Sequence, residues 1–162
     1  MIRVCLVDDQ TLVRQGIRSL LALDDGIEVV GEAADGKQAV ELVPQLKPDV
    51  VLMDMRMPVM SGLEALQALA ALNQLPPAII LTTFDDDQLV LAGLKAGAKG
   101  YLLKDVSLEQ LVGAIQTVAE GGSPAPAAMQ RKAHPWAWWT GVLVLRARPG
   151  ILSFRPIATR RP

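Results

Sequence analysis

Five short apolar runs, each followed by a stretch with helical periodicity, divide the first 121 residues of this 162-residue chain. The runs cover residues 2–7, 27–33, 50–53, 78–81 and 100–103. Short apolar runs bounded by turn residues read as strands buried on both faces. Between them, Val13, Ile17, Leu20 and Leu21 recur at helical spacing, as do Val40, Val43 and Leu46. Leu108, Leu111, Val112, Ile115 and Val118 make a third stripe of this kind. Strict alternation with short connections predicts parallel strands joined by right-handed crossovers, with helices on both faces. The expected class is α/β, a doubly wound sheet of five βα units.

The punctuation agrees with these boundaries. Asp24-Asp25-Gly26 and Lys47-Pro48 stop the first two helices. Ser61 with Glu64, and Ser107 with Gln110, have capping-box spacing. In that motif a hydroxyl and a carboxylate or amide satisfy two open backbone N–H groups. Asp85-Asp86-Asp87 would put acids in the first turn of the fourth helix, where its dipole favours them. Ala96-Gly97 and Gly121-Gly122 end the last two helices.

In a parallel sheet every strand points the same way, so residues just past the carboxyl ends share one edge. Open α/β sheets place their ligands there. Those residues are Asp8 and Asp9, Asp54, Thr82 and Lys104. Carboxylates crowded together raise one another's pKa unless a cation sits among them. A hard oxygen site built on carboxylates suits Mg²⁺, which keeps waters and shares phosphate oxygens. Lys104 adds a point positive charge and Thr82 a hydroxyl. Such a set is a place to hold a phosphoryl group. Singly, each residue has a plainer explanation: Asp8-Asp9 as a helix cap, Lys104 as a solvated charge, Thr82 as a β-former. Their joint placement favours a site.

Composition bounds the remaining choices. A chain that is 51% apolar and 20% charged is globular. A single cysteine, Cys5, excludes a disulfide framework, and its apolar run makes it a packing residue. The opening residues lack a signal-peptide pattern and no apolar run could span a bilayer, so a cytoplasmic location is expected. The net charge of −1 hides an asymmetry. All 17 acids precede position 121, against 9 basic residues there; the other 7 basic residues follow, with no acid among them.

Four elements in order, Asp8-Asp9, Met53-Asp54-Met55-Arg56-Met57-Pro58, Leu81-Thr82-Thr83-Phe84 and Gly100-Tyr101-Leu102-Leu103-Lys104, resemble the receiver domain of bacterial two-component response regulators. Asp9-Gln10-Thr11-Leu12-Val13-Arg14, Thr82-Thr83-Phe84-Asp85-Asp86 and Leu103-Lys104-Asp105 are most similar to the NarL/FixJ (LuxR-type) subfamily. The resemblance covers residues 1–121 and implies a flavodoxin-like (βα)5 domain with strand order 2-1-3-4-5. It implies that Asp54 is the phosphoacceptor, attacking the phosphohistidine of a sensor histidine kinase. Asp8, Asp9, Asp54 and the backbone carbonyl of Arg56 would hold Mg²⁺. Lys104 would pair with phosphoryl oxygens, Thr82 would bond one of them, and Tyr101 would change rotamer with Thr82. Arg56 and Phe84 sit where the family tunes phosphoryl lifetime. The implied protein is a switch and not a turnover enzyme, with a homodimer through the first and fifth helices; the stripe from Leu108 to Val118 could instead be core. Many receivers carry a cis proline after the lysine, where this chain has Asp105, which leaves that peptide's geometry open. A haloacid dehalogenase-type hydrolase also uses a strand-end aspartate, but that family wants a second acid where Arg56 stands.

The subfamily should continue into a helix-turn-helix domain that binds DNA and regulates transcription. Residues 122–162 read instead as a basic tail, with six prolines and one apolar run from Trp136 to Leu145. Prolines at that density leave no room for a multi-helix DNA reader. The expectation is an irregular remnant of the effector region, truncated or frameshifted, on a receiver without DNA binding. A tail contacting nucleic acid non-specifically, or another output segment, are the alternatives. His134 belongs to that tail.

Overall fold

Residues 1–83 and 87–122 are described by the structure, a computed structural model. The expectations for Phe84, Asp85, Asp86 and the tail from residue 123 onward lie outside them. Among the described residues, ten elements alternate without exception. They are β1 (Ile2–Val7), α1 (Thr11–Leu21), β2 (Ile27–Ala33), α2 (Gly36–Leu46), β3 (Val50–Asp54), α3 (Gly62–Ala71), β4 (Ala78–Thr82), α4 (Asp87–Lys95), β5 (Gly100–Leu103) and α5 (Leu108–Ala119). The strands form one parallel sheet in the order β2-β1-β3-β4-β5, the expected doubly wound arrangement.

Strand alternation sorts the core into two layers. Cys5, Val7, Val51, Met53, Ile80 and Tyr101 face α2, α3 and α4, meeting Ala39, Val43, Leu66, Leu69 and Val90. Val4, Leu6, Leu52, Ile79, Leu81 and Leu102 face α1 and α5, meeting Leu21, Leu111, Ile115 and Val118. All five residues of β3 are buried, as a run without polar alternation requires.

The helix ends follow local chemistry. Both capping boxes form: Ser61 and Ser107 accept from the N–H groups of Glu64 and Gln110, whose side chains accept from the serine N–H groups. Asp35 caps α2 by accepting from Gln38 N–H. Helix α1 has no side-chain cap at Gln10.

Two helix faces differ from expectation. In α1 only Leu21 is buried; Leu20 points outward, and Leu12 is 81% exposed. The helix lies over an edge of the sheet and has fewer neighbours to cover it. In α5, Leu111, Ile115 and Val118 are spent on the core. Strand β2 also holds an irregularity, since Val4 pairs with Val29 but Cys5 pairs with Gly31. Among the described residues no helix is long and apolar enough to cross a membrane.

Candidate functional site

Strand register brings the expected residues to one edge. Val7 pairs with Met53 and Asp54 with Leu81, while Thr82 pairs with Leu103. The residues that follow β1, end β3 and β4, and follow β5 therefore lie in a row. Asp8, Asp9 and Asp54 each offer a carboxylate oxygen within 4.8 Å of the others. Asp8 is 1% exposed and Asp54 6%, whereas Asp9 is exposed. Lys104 Nζ lies 3.1 Å from Asp8 Oδ2 and 3.3 Å from Asp54 Oδ2. Lys104 N–H donates to the Thr82 carbonyl at 2.9 Å, which registers the loop after β5 on the end of β4.

The charges in this pocket are unequal. Burial pushes the Asp54 carboxyl up to about 6; Lys104 opposes that rise, Asp8 adds to it and the Arg56 N–H opposes it. For Lys104, burial works against the ammonium, but Asp54 and Asp8 outweigh it and hold its pKa above the ordinary lysine value. The two buried carboxylates share Lys104 and the exposed Asp9 stands beside them, which leaves room for further positive charge. Hard oxygen donors gathered this closely match what Mg²⁺ takes, and a divalent ion would offset the negative charge crowded there.

The surrounding backbone is tightly arranged. Gly62 N–H donates to the Met55 carbonyl at 3.1 Å, and a methyl group on Gly62 would sit 2.1 Å from the Asp54 carbonyl oxygen. Only glycine lets α3 begin this close to the end of β3. The Arg56 N–H reaches back to Asp54 Oδ1 at 3.4 Å, so the backbone of Arg56 lies beside that carboxylate. Thr82 is buried, and its hydroxyl donates to the Thr83 carbonyl at 3.1 Å. Tyr101 is buried on the face that carries α4, the face toward which Thr82 alternates from Ile80. No described peptide is cis, so the bond after Lys104 is trans. An open cavity of about 480 Å³ adjoins the acids, with Asp9, Arg56, Met57, Pro58, Ser61 and Leu89 in its wall.

Asp8, Asp9, Asp54, Arg56, Thr82 and Lys104 thus lie at or beside this edge, Tyr101 lies within β5 opposite Ile80, and Phe84 falls outside the described residues. Arg14, to which no sequence pattern gives a role, donates from Nη1 to the Asp8 carbonyl at 2.5 Å and from Nε to Glu32 at 3.1 Å. Glu32 is one of two acids, with Glu28, in a strand whose other residues are small or apolar.

Comparison with known proteins agrees with this architecture. The response regulator receiver domain family matches residues 4–116. The transcriptional regulatory protein LnrK of Bacillus subtilis (strain 168) is 42% identical over 126 residues, which cover 78% of this chain and 57% of that protein. The nitrate/nitrite response regulator protein NarP of Escherichia coli (strain K12) is 48% identical over 119 residues, covering 74% of this chain and 55% of NarP. The signal receiver domain of NarL from Mycobacterium tuberculosis superposes with a TM-score of 0.70 at 37% identity, over 74% of this chain and 97% of that one. These relatives agree with the NarL/FixJ resemblance. The chain spans about half the length of the curated relatives it matches. Fold, register and sequence converge: the chain belongs to the response regulator receiver domain family.

Proposed function

We propose that this chain is a phosphorylation-controlled receiver in which Asp54 takes a phosphoryl group from a sensor histidine kinase. The observation that carries this reading is the cluster of Asp8, Asp9 and Asp54 within 4.8 Å, with Lys104 paired to the two buried acids. An Asp54 carboxylate oxygen attacks the phosphorus, the P–N bond of the phosphohistidine breaks, and the imidazole leaves with its electron pair. The product is an acyl phosphate on Asp54. Phosphoryl transfer needs alignment and charge neutralisation more than covalent help from the protein. Lys104 supplies fixed positive charge 3.3 Å from Asp54. Asp8, Asp9, Asp54 and the Arg56 carbonyl would hold Mg²⁺, which when bound neutralises charge developing on the phosphoryl oxygens.

Thr82 would then turn its hydroxyl from the Thr83 carbonyl to the phosphoryl group, and Tyr101 would follow on the α4 face. Adjacent strands, and the face that Ile80 and Tyr101 share, support that coupling. The assignment makes residues 1–121 the switch and whatever follows the output. Relatives named as transcriptional regulatory proteins point to regulation of transcription as the output of the intact family architecture. A cytoplasmic location fits a partner kinase that presents its phosphohistidine inside the cell.

Acetyl phosphate with Mg²⁺ tests the reading directly. Intact-protein mass spectrometry should show one added phosphoryl group, absent from Asp54→Asn and absent without the metal. An unchanged mass in the parent protein would sink it. Steady turnover of p-nitrophenyl phosphate would instead favour the hydrolase class.

A further inference from the structure

Arg14 holds the turn that carries two of the three clustered acids. Its guanidinium joins three elements: it projects from α1, donates from Nη1 to the Asp8 carbonyl at 2.5 Å, and donates from Nε to Glu32 of β2 at 3.1 Å. Arg14 and Glu32 are only 15% and 23% exposed at their side chains. Arg18, one helical turn on, also pairs with Glu32. Asp8 Oδ2 also pairs with Lys104 at 3.1 Å, and the other ties on this turn are short-range or backbone. Asp8 N–H donates to the Ala33 carbonyl at 3.1 Å, and Gln10 N–H donates to Asp8 Oδ1 at 2.8 Å. No side chain caps α1 at Gln10.

The irregularity in β2 is what makes the clamp reachable. Because the register skips a residue between Val29 and Gly31, Gly31 pairs with Cys5 and Glu32 with Leu6. Leu6 faces α1 and α5, so its parallel neighbour Glu32 faces them too. Gly31 correspondingly faces α2, where an added methyl group would meet Leu46 and Leu42. Without the extra residue, the acid would alternate to the wrong side of the sheet and Arg14 would have no anchor.

We propose that Arg14 is a positioning residue for the divalent-cation site, fixing the Asp8-Asp9 turn through the Asp8 carbonyl while Glu32 fixes Arg14. The proposal rests on the reading of Asp8, Asp9 and Asp54 as cation ligands. Groups that orient ligands without touching the ion typically govern 10–100-fold in affinity. The planar fork is essential, because only a guanidinium can donate to a carbonyl and a carboxylate at once in fixed geometry.

Electrostatics and positioning predict opposite signs here. Arg14 is a cation near a cation site, so charge alone predicts tighter Mg²⁺ binding when it is removed. Positioning predicts weaker binding. The experiment measures Mn²⁺ binding to the full chain by electron paramagnetic resonance, with Mg²⁺ as competitor, for the parent, Arg14→Met, Arg14→Lys, Glu32→Gln and the Arg14→Met, Glu32→Gln double variant. The expected result is about 10-fold weaker binding or more for Arg14→Met. Arg14→Lys should fail to restore the parent affinity, although the charge is kept. Arg14→Met should add little in a Glu32→Gln background, because the two act as a unit. If Arg14→Met does not fold by circular dichroism, Arg14→Lys and Glu32→Gln carry the comparison. Unchanged or tighter binding in the folded variants, with only a lower melting temperature, would overturn the inference alone. A parent protein that binds neither ion would overturn the cation-site reading together with it.

Discussion

Cys5 and Asp54 are both ionisable, both buried and carried on adjacent strands, yet their surroundings leave them with opposite chemistry. Cys5 lies in mid-sheet, paired with Gly31 on one side and Val51 on the other. Burial, with a smaller push from Glu32, raises its thiol to about 12, so at neutral pH it carries no thiolate. Asp54 ends its strand a few residues further along the same sheet. Burial raises its carboxyl as well, but Lys104 and the Arg56 N–H oppose the rise and hold it at about 6. Desolvation is the leading cause in both. The difference is position: a mid-strand residue has its backbone neighbours committed to the ladder, whereas a strand end opens onto loops that bring charged side chains and backbone N–H groups. Burial alone drives the thiol's pKa far from neutrality; burial beside counter-charge leaves the carboxyl's near it.

The largest effect should come from disturbing the backbone that builds the edge. Gly62→Ala would place a methyl carbon 2.1 Å from the Asp54 carbonyl oxygen and 2.8 Å from Met55 Cα. Backbone atoms cannot swing aside as side chains do, so the loss should be about 3 kcal/mol or more in urea unfolding. Gly113 is the control, since nothing lies within 4 Å of a methyl group there. On α5, Gly113→Ala should stabilise by roughly 0.5–1 kcal/mol from helix propensity alone. Equal responses at the two glycines would dissolve the contrast between edge and periphery.

Asp54→Asn comes next. The carboxyl has an ordinary value of 3.8 and a folded value of about 6, so the native state holds its proton more tightly. Stability from that proton is present at low pH and is lost as pH rises from 3.8 to about 6. Above that window the charged form carries a penalty on the order of 3 kcal/mol, part of which an amide retains through its own burial. Asp54→Asn should therefore stabilise the metal-free protein by about 2 kcal/mol at pH 7.5, a gain that vanishes toward pH 4. Lys104 keeps Asp8 as its partner at 3.1 Å, so no orphan charge is created. A destabilised variant at pH 7.5 would mean that Asp54 is held more by its partners than it is strained by burial.

The mid-sheet group gives a smaller response. Cys5→Ser exchanges a thiol for a hydroxyl in apolar packing and should cost about 1–2 kcal/mol, independent of pH between 5 and 9. Pulse labelling with a thiol reagent at pH 8 should follow global unfolding and not a local rate. A labelling rate faster than unfolding would place Cys5 in the same class as Asp54.

How much was legible in advance follows from the same distinction. Strand and helix boundaries depend on apolar period and caps, which are local, and Ser61-Glu64, Ser107-Gln110 and the strand ends at Asp8, Asp54, Thr82 and Lys104 stood where they were expected. What escaped notice depends on relations between segments. Leu20 fits the apolar stripe of α1, yet it lies outward, because the sheet edge beneath that helix is narrow. The skipped residue at Val29–Gly31 leaves no mark in apolar spacing, and it alone decides that Glu32 meets Arg14. Long polar side chains that act across elements have no periodicity to read.

The smallest effect probes strain at the same edge. Val59, in the loop between β3 and α3, has φ of 68°. It is 79% exposed, so its side chain contributes almost no packing there. The loop closes tightly around it, with Met60 N–H donating to the Pro58 carbonyl at 2.7 Å. A β-branched residue at positive φ is held against a preference of roughly 1–2 kcal/mol. Val59→Gly removes that strain but frees the unfolded chain, which returns about 0.5–1 kcal/mol. The net expectation is a gain of about 0.5–1 kcal/mol, read as a melting temperature higher by about 2–5 °C. Equivalent valines inside the sheet, such as Val51, occupy extended backbone and bury their side chains completely, so Val51→Gly should be strongly destabilising. The same substitution should thus carry opposite signs at the edge and in the interior. A lowered melting temperature for Val59→Gly would show that the loop's conformation is set by more than the turn, and would move the strain elsewhere in the site.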